Sequence, residues 1–160
     1  MDEEEINKID WWHTFDFKDF KTKGRDDSPN KLKFINLPPI LNGLSVLDVG
    51  AWDGYFSFVC EQRGASRVLA IDTNTWQQEN LWHGETNSFH KHTMKRGFEC
   101  ARKALNSKVE DKEIEVEDIT IKLVGEFDVI LCLGILYHMK DPYRIIRQLS
   151  EITKKMLVIE

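Results

Sequence analysis

Two rhythms of apolar and polar positions divide the chain. From Leu44 onward, short apolar runs alternate with stretches of helical spacing. SVLDVG and RVLAIDT are apolar almost throughout, the pattern of strands covered on both faces. Between them, YFSFVCEQRG predicts a helix that stops at Gly64. Met94, Phe98, Ala101 and Leu105 recur at helical spacing and predict a helix over residues 89–105, after a polar stretch at 74–87. EIEVED, residues 113–118, alternates and predicts a third strand. FDVILCLG, residues 127–134, is a fourth, again with a continuous apolar run. Asp141 and Pro142 supply a cap and a first-turn proline for a helix carrying Ile145, Ile146, Leu149 and Ile152. KMLVIE, residues 155–160, closes the series as a fifth strand. Ahead of Leu44 this rhythm is absent. IDWWHTFDFKDF is dense in aromatic residues and predicts an amphipathic helix docked on the remainder. KTKGRDDSPNK reads as a loop, and Pro38 with Pro39 blocks further helix.

Strands alternating with helices predict an α/β fold: a Rossmann-like, doubly wound, mostly parallel sheet that ends after its fifth strand. Residues 1–40 read as an N-terminal cap segment and residues 41–160 as the sheet domain. Ligands on such sheets bind beyond the strand C-terminal ends. Bulk properties narrow the partners. A net charge of −5 argues against non-specific nucleic-acid binding. The opening MDEEEI lacks the apolar region of a secretory signal, and the longest apolar run is too short to span a bilayer. Cys60, Cys100 and Cys132 are odd in number and form no CxxC pair, which predicts reduced, packed thiols in a cytoplasmic protein.

The loop after the first strand carries the chemistry. Gly50 and Gly54 are separated by Ala51, Trp52 and Asp53. A pyrophosphate-binding turn uses a closely spaced second glycine for backbone approach. Here an indole obstructs and a carboxylate repels. Asp48 ends the first strand, Asp53 lies in the loop, Asp72 ends the second strand and Asp118 follows the third. Asp72 lies 22 residues beyond Gly50, close to the ~20-residue offset at which an acid meets a ribose diol. Such a pocket suits S-adenosylmethionine, which has a ribose, an adenine and a sulfonium but no phosphate. Its ribose would meet Asp72 and Thr73, its amino-acid end the turn at residues 50–54, and its adenine Asp118 and Ile119. Leu133 and Gly134, at the end of the fourth strand, complete the set. Trp52 reads either as a wall of that cavity or as a surface aromatic.

VLDVGAWDGYFSF, RVLAIDT and FDVILCLGILYHMKDP, in this order, resemble class I S-adenosylmethionine-dependent methyltransferases. From about Trp11 to Glu160, with WWHTFDF, GRDDSPNKL and LGILYHMKDP, the chain resembles the branch labelled tRNA wobble-uridine 5-oxyacetic acid methyltransferase. The resemblance implies methyl transfer to an oxygen nucleophile, on a tRNA wobble uridine or a small hydroxylated molecule. One subgroup uses carboxy-S-adenosylmethionine to carboxymethylate tRNA. Its lysine carries over to Lys31 and its tyrosine to Tyr137. Pro29, Asn30 and Leu32 replace the tryptophan-rich stretch around that lysine, and Trp52 replaces the second loop glycine, so plain methyl transfer is the expectation. The resemblance also implies two further strands after the fifth. A longer chain or a second subunit is therefore expected to cover the sheet edge.

Tyr137 would orient the sulfonium or the substrate, or serve as a core aromatic. His138 would act as general base, or as a structural histidine near the Asp141 cap. No (D/N)PPY sequence marks an exocyclic amine as acceptor. His13, with Trp11 and Trp12, reads as a substrate lid or as an aromatic docking segment. Arg25 and Lys31 would engage an anionic substrate or stay solvated. His90, Lys91, His92, Lys95, Arg96, Arg102 and Lys103 make a basic stretch that would track RNA phosphates or form a solvated helix face. His90 and His92 lack further ligands at metal spacing, so no metal site is expected. A nicotinamide-dependent oxidoreductase and a non-catalytic cofactor-binding module are the competing readings.

Overall fold

The computed structural model describes residues 6–73, 76 and 95–160. Five parallel strands form the central sheet: β3 (Ser45–Val49), β4 (Arg67–Asp72), β5 (Glu110–Glu113), β6 (Phe127–Cys132) and β7 (Thr153–Ile159). Their spatial order is β5-β4-β3-β6-β7, all pairs parallel. Winding leaves from β3 in both directions, so the switch point lies between β3 and β6, where ligands bind on such sheets. A small hairpin, β1 (Asp16–Phe17) and β2 (Phe20–Lys21), and a short helix α1 (Ser28–Lys31) precede the sheet.

Alternate residues of the central strands enter two separate cores, which is why these strands read as unbroken apolar runs. Val46, Ala70 and Leu131 pack on one face with Phe58 of α2 (Tyr55–Gln62) and Phe98 of α3 (Arg96–Ala104). Leu47, Leu69 and Ile130 pack on the other with Val124 of α4 (Ile121–Val124) and with Ile145 and Leu149 of α5 (Pro142–Glu151). The α5 helix starts as its sequence predicts, with the Asp141 side chain accepting the Arg144 N–H and Pro142 in the first turn. Cys60, Cys100 and Cys132 are buried, and no disulfide is found among the described residues. Among the described residues no helix is long and apolar enough to cross a membrane.

The aromatic N-terminal segment is not an amphipathic helix. It is an extended strap with Trp11, His13 and Phe15 buried and Trp12 and Thr14 half-buried between them, a period of two. Its backbone finds partners in the following loop: Asp26 N–H donates to Trp12 O at 2.7 Å, and Thr14 N–H to Asp26 O at 3.0 Å. Trp11, Phe15 and Phe20 join the same core as Val46 and Phe58, so residues 6–40 share the core of the sheet domain. The strap explains α2, whose residues 55–60 are all buried: the sheet covers one side and the strap's aromatics the other.

The third strand lies earlier than predicted, at Glu110–Glu113, and Val116–Asp118 forms a single 3-10 turn. The cause is the partner strand. β4 ends at Asp72, which sits opposite Glu113, so nothing remains for residues 114–118 to pair with. Ile114 and Val116 turn inward onto the second core instead. A second correction concerns the loop at residues 21–31. It contains α1, begun by the Asp27 side chain accepting from Asn30 N–H and by Pro29 in the first turn. The predicted helix over 89–105 is observed from Arg96; residues 89–94, with His90, Lys91, His92 and Met94, lie outside the described residues.

Candidate donor site at the strand ends

The turn at residues 50–54 is locked into its shape by backbone and packing. Gly50, Trp52 and Gly54 all have positive φ, at 75°, 50° and 83°. A Cβ on Gly50 would collide with the Ile135 side chain, and one on Gly54 would lie 2.6 Å from Phe98. Trp52 adopts a conformation that L residues rarely take. The turn's amides are engaged internally. Gly50 and Ala51 N–H donate to Ile71 O at 2.9 and 3.1 Å, Trp52 N–H to Asp72 Oδ2 at 3.0 Å, and Gly54 N–H to Ala51 O at 2.7 Å. A phosphate-binding turn offers such N–H groups to its ligand. This one has turned four of them to the protein.

The strand-end acids are gathered but face inward. Asp48, Asp53 and Asp72 are 3%, 0% and 7% exposed. Asp48 lies inside β3, and its Oδ2 accepts the Ser57 hydroxyl at 2.6 Å, which ties β3 to α2. Burial pushes its pKa up to about 6, against the Ser57 hydrogen bond. Asp53 was expected beside the donor. Its Oδ2 instead accepts two strap amides, Trp12 N–H at 2.7 Å and His13 N–H at 2.9 Å. Burial lifts its pKa to about 7, although both amides favour the anion. Asp72 and Thr73 stand at the end of β4 as predicted, both buried, with Asp72 also orienting the turn through Trp52.

Two tryptophans meet over the turn. The Trp52 ring stacks on Trp12, with centroids 4.7 Å apart and planes at 20°. Trp76 Nε1 donates to Trp52 O at 2.9 Å, and Trp76 packs on Phe98. Trp52 is thus neither a lone surface ring nor a simple wall; it is one half of a stacked pair whose other half comes from the strap. His13 does not reach outward as a lid. It is 7% exposed, stacks on Tyr55 and meets Phe56 edge-on. Burial drives its pKa down to about 3, so the ring is neutral.

Beyond β6, Leu133 and Gly134 lie half-buried at the mouth, with Gly134 at φ 68°. Tyr137 and His138 fall in a 3-10 turn, Leu136–His138, their rings 3.8 Å apart. Tyr137 is 74% exposed, so it is not a core aromatic. Asp118 is exposed five residues past the end of β5, while Ile119 is fully buried in the second core and lines a groove of about 480 Å³ between α4 and α5. Ending β5 at Glu113 makes Glu115 and Val116 the first residues past the strand end after Ile114, positions hidden in the sequence by the misplaced strand.

The predicted cations are held by carboxylates. Arg25 pairs with Asp10. Lys31 contacts Asp26 at 2.7 Å and Glu160 at 3.5 Å. Burial opposes the Lys31 charge, but its bonds to Asp26 outweigh that and hold its pKa above the usual value. In the basic stretch, Lys95 pairs with Asp111 and Glu113, and Arg102 with Asp111. These members pack against the acidic edge strand and do not present a row of open charges. Ser57, Trp76 and Gly97 also shape the site; no sequence motif singles them out.

Comparison with known proteins agrees with this geometry. A family model described as a methyltransferase domain matches residues 20–160. The chain is 31% identical over 161 residues to a ubiquinone biosynthesis O-methyltransferase of Neisseria meningitidis serogroup C, covering 96% of this chain and 59% of that protein. It is 27% identical over 155 residues to a tRNA U34 carboxymethyltransferase of Helicobacter acinonychis, covering 94% and 53%. Among solved structures, the N-terminal domain of EvdMO1 in the presence of SAH and D-fucose superimposes with a TM-score of 0.64 at 18% identity, covering 96% of this chain and 60% of that one. The chain thus spans a little over half the length of the relatives it matches. With the sheet order, the phosphate-averse turn and a family match over most of its length all in agreement, the chain belongs to the methyltransferase domain family.

Proposed function

We propose that this chain forms the donor-binding core of an S-adenosylmethionine-dependent methyltransferase acting on a hydroxyl oxygen of a small molecule. The observation that carries the donor assignment is the turn at residues 50–54. Four of its five N–H groups are engaged within the protein and the Asp72 carboxylate stands beside it at the end of β4, which suits a phosphate-free, positively charged nucleoside. When bound, the donor supplies a methyl group activated by positive sulfur. Asp72, Thr73 and the residues after β5 would hold the nucleoside end, the turn the amino-acid end, and Leu133 and Gly134 the floor beneath the sulfur. The chain's remaining tasks are to align the acceptor and exclude water, which contributes roughly 7–11 kcal/mol in favourable cases.

Tyr137 and His138 stand at the mouth, where an acceptor would arrive. His138 would take the proton released as an acceptor hydroxyl becomes an ether. Tyr137 would stack on or bond the acceptor. The small-molecule class is favoured over RNA because Arg25, Lys31, Lys95 and Arg102 are each paired with carboxylates. The ubiquinone-pathway relative, an O-methyltransferase by name, supports the same class. Lys31, the carried-over ligand for a carboxylated donor, is already bound by Asp26 and Glu160, which speaks for plain methyl transfer.

Calorimetry with S-adenosylmethionine, carboxy-S-adenosylmethionine and NAD tests the reading. S-adenosylmethionine is expected to bind best, with Asp72→Ala weakening it tenfold or more. His138→Ala is expected to lower kcat on phenolic acceptors by about 100-fold or more while donor affinity holds. Tighter binding of NAD than of either sulfonium would overturn the donor assignment. Methylation of tRNA without turnover of hydroxylated small molecules would overturn the substrate class.

A further inference from the structure

The carboxylate of Asp53 lies at the meeting of three elements. From the turn, it reaches the strap and accepts the N–H groups of two successive residues, Trp12 and His13. From the other side α3 closes on it: a Cβ at Gly97 would lie 2.8 Å from Asp53 Oδ1 and 3.5 Å from the Trp11 ring. Asp53 is fully buried, and its Oδ1 has no hydrogen-bond partner among the described residues. Leaving a buried carboxylate oxygen unpaired is costly. An acid in this place needs a reason other than packing, since an apolar side chain would fill the space without that cost.

The two bonds it makes hold the strap where the Trp12 ring covers the Trp52 ring. Trp52 sits in the middle of the turn at positive φ, with its backbone fixed by Asp72 on one side and Trp76 on the other. Its backbone position is therefore set within the turn, while the stack on Trp12 ties the lie of its indole to the strap. With the strap anchored, the indole is stacked on Trp12; with the strap released, that stacking contact is lost.

We propose that Asp53 is a positioning residue for the methyl donor, holding the strap so that Trp12 fixes the Trp52 indole beside the turn and keeps the turn open to the donor's amino-acid end. This rests on the donor assignment made above and adds to it a chain of action: Asp53 to strap amides, strap to Trp12, Trp12 to Trp52, Trp52 to donor.

Asp53→Ala, Asp53→Asn, Trp12→Ala and Trp12→Phe in the whole chain test it, read by donor calorimetry, by the near-ultraviolet circular dichroism of the stacked indoles, and by KM against kcat. Asp53→Ala and Trp12→Ala should both abolish the indole couplet and weaken S-adenosylmethionine at least tenfold, mainly in KM. Asp53→Asn keeps an acceptor oxygen and Trp12→Phe keeps a ring, so both should restore much of the affinity. If Asp53→Ala does not fold, Trp12→Ala, which removes a half-buried ring, decides alone. Donor affinity within twofold of wild type in folded Trp12→Ala or Asp53→Ala would overturn the proposal while leaving the donor assignment intact. A wild-type chain that binds no donor would sink both.

Discussion

At the scale of single residues, Trp52 is the side chain whose meaning changes most between sequence and structure. Its position in the turn made it legible as an obstacle to phosphate. Its partner was not legible, because Trp12 lies 40 residues away and meets it only once the strap has folded back. The structure also moves the obstacle. The phosphate aversion lies in the backbone, where Ile71 O, Asp72 and Ala51 O hold the turn's amides. This separates two explanations of why a dinucleotide does not fit. If the indole alone excluded NAD, Trp52→Gly would admit it. Because the amides are engaged, Trp52→Gly is expected to leave NAD binding undetectable by calorimetry at millimolar ligand, even though glycine suits a φ of 50°. NAD binding by that variant would return the exclusion to the side chain. The candidate acids divide in the same way. Asp72 ends β4, where the strand pattern puts it. Asp48 and Asp53 were read as ligands, yet bond to Ser57 and to the strap, partners that no spacing rule could supply.

Among the elements, the apolar strands were legible, the edge strand β7 included, and the polar edge strand β5 was misplaced. β3, β4 and β6 announce themselves because both of their faces are buried. β5 is polar, and its ion pairs to Arg67, Lys95 and Arg102 carry no periodic signal. The strap misleads in another way, since its density of rings suggests a helix although its burial alternates by two. The contact between the turn and α3 is where elements bear most directly on the site. Gly54 holds φ 83° and faces Phe98 and Phe58, so Gly54→Ala adds both backbone strain and a clash. We expect it to cost about 2–4 kcal/mol in denaturant unfolding, against roughly 3–5 kcal/mol for Phe98→Ala, which empties the same contact. Because Phe98→Ala makes room for the new methyl, the double variant should cost less than the sum. Additive costs would mean that the two residues do not press on each other.

For the molecule as a whole, the buried titratable groups set how stability follows pH. Asp48 and Asp53 have their pKa raised by burial to about 6 and about 7, above the ordinary 3.8. Their folded forms prefer the proton, so the stability they contribute is complete at low pH and is lost as pH rises through 6 and 7. His13 runs the other way. Its pKa falls from 6.5 to about 3, so its contribution is complete above 6.5 and is lost as the solution becomes more acidic. From about pH 4 to 6, the folded chain holds two protons that the unfolded chain lacks and lacks one that the unfolded chain holds. The net is one proton, or at most about 1.4 kcal/mol of stability lost per pH unit as pH rises. Between 6 and 7 the opposing changes nearly cancel. Asp26, Glu110, Asp111 and Asp128 have lowered pKa values and act only as pH falls below about 4. Thermal unfolding from pH 4.5 to 7.5 should therefore show Tm falling to about pH 6 and then levelling. Asp53→Asn removes one of the two held protons, leaving Asp48 to offset His13. Its Tm relative to wild type should rise steadily between pH 4.5 and 7, whatever constant cost the altered hydrogen bonds impose. Asp10, Asp72 and His13 face the same carboxylate and stay in place in the variant, so the change belongs to Asp53. A Tm difference that stays flat across this range would show that Asp53 is ionised in the folded chain and that the strap rests on a fully charged carboxylate.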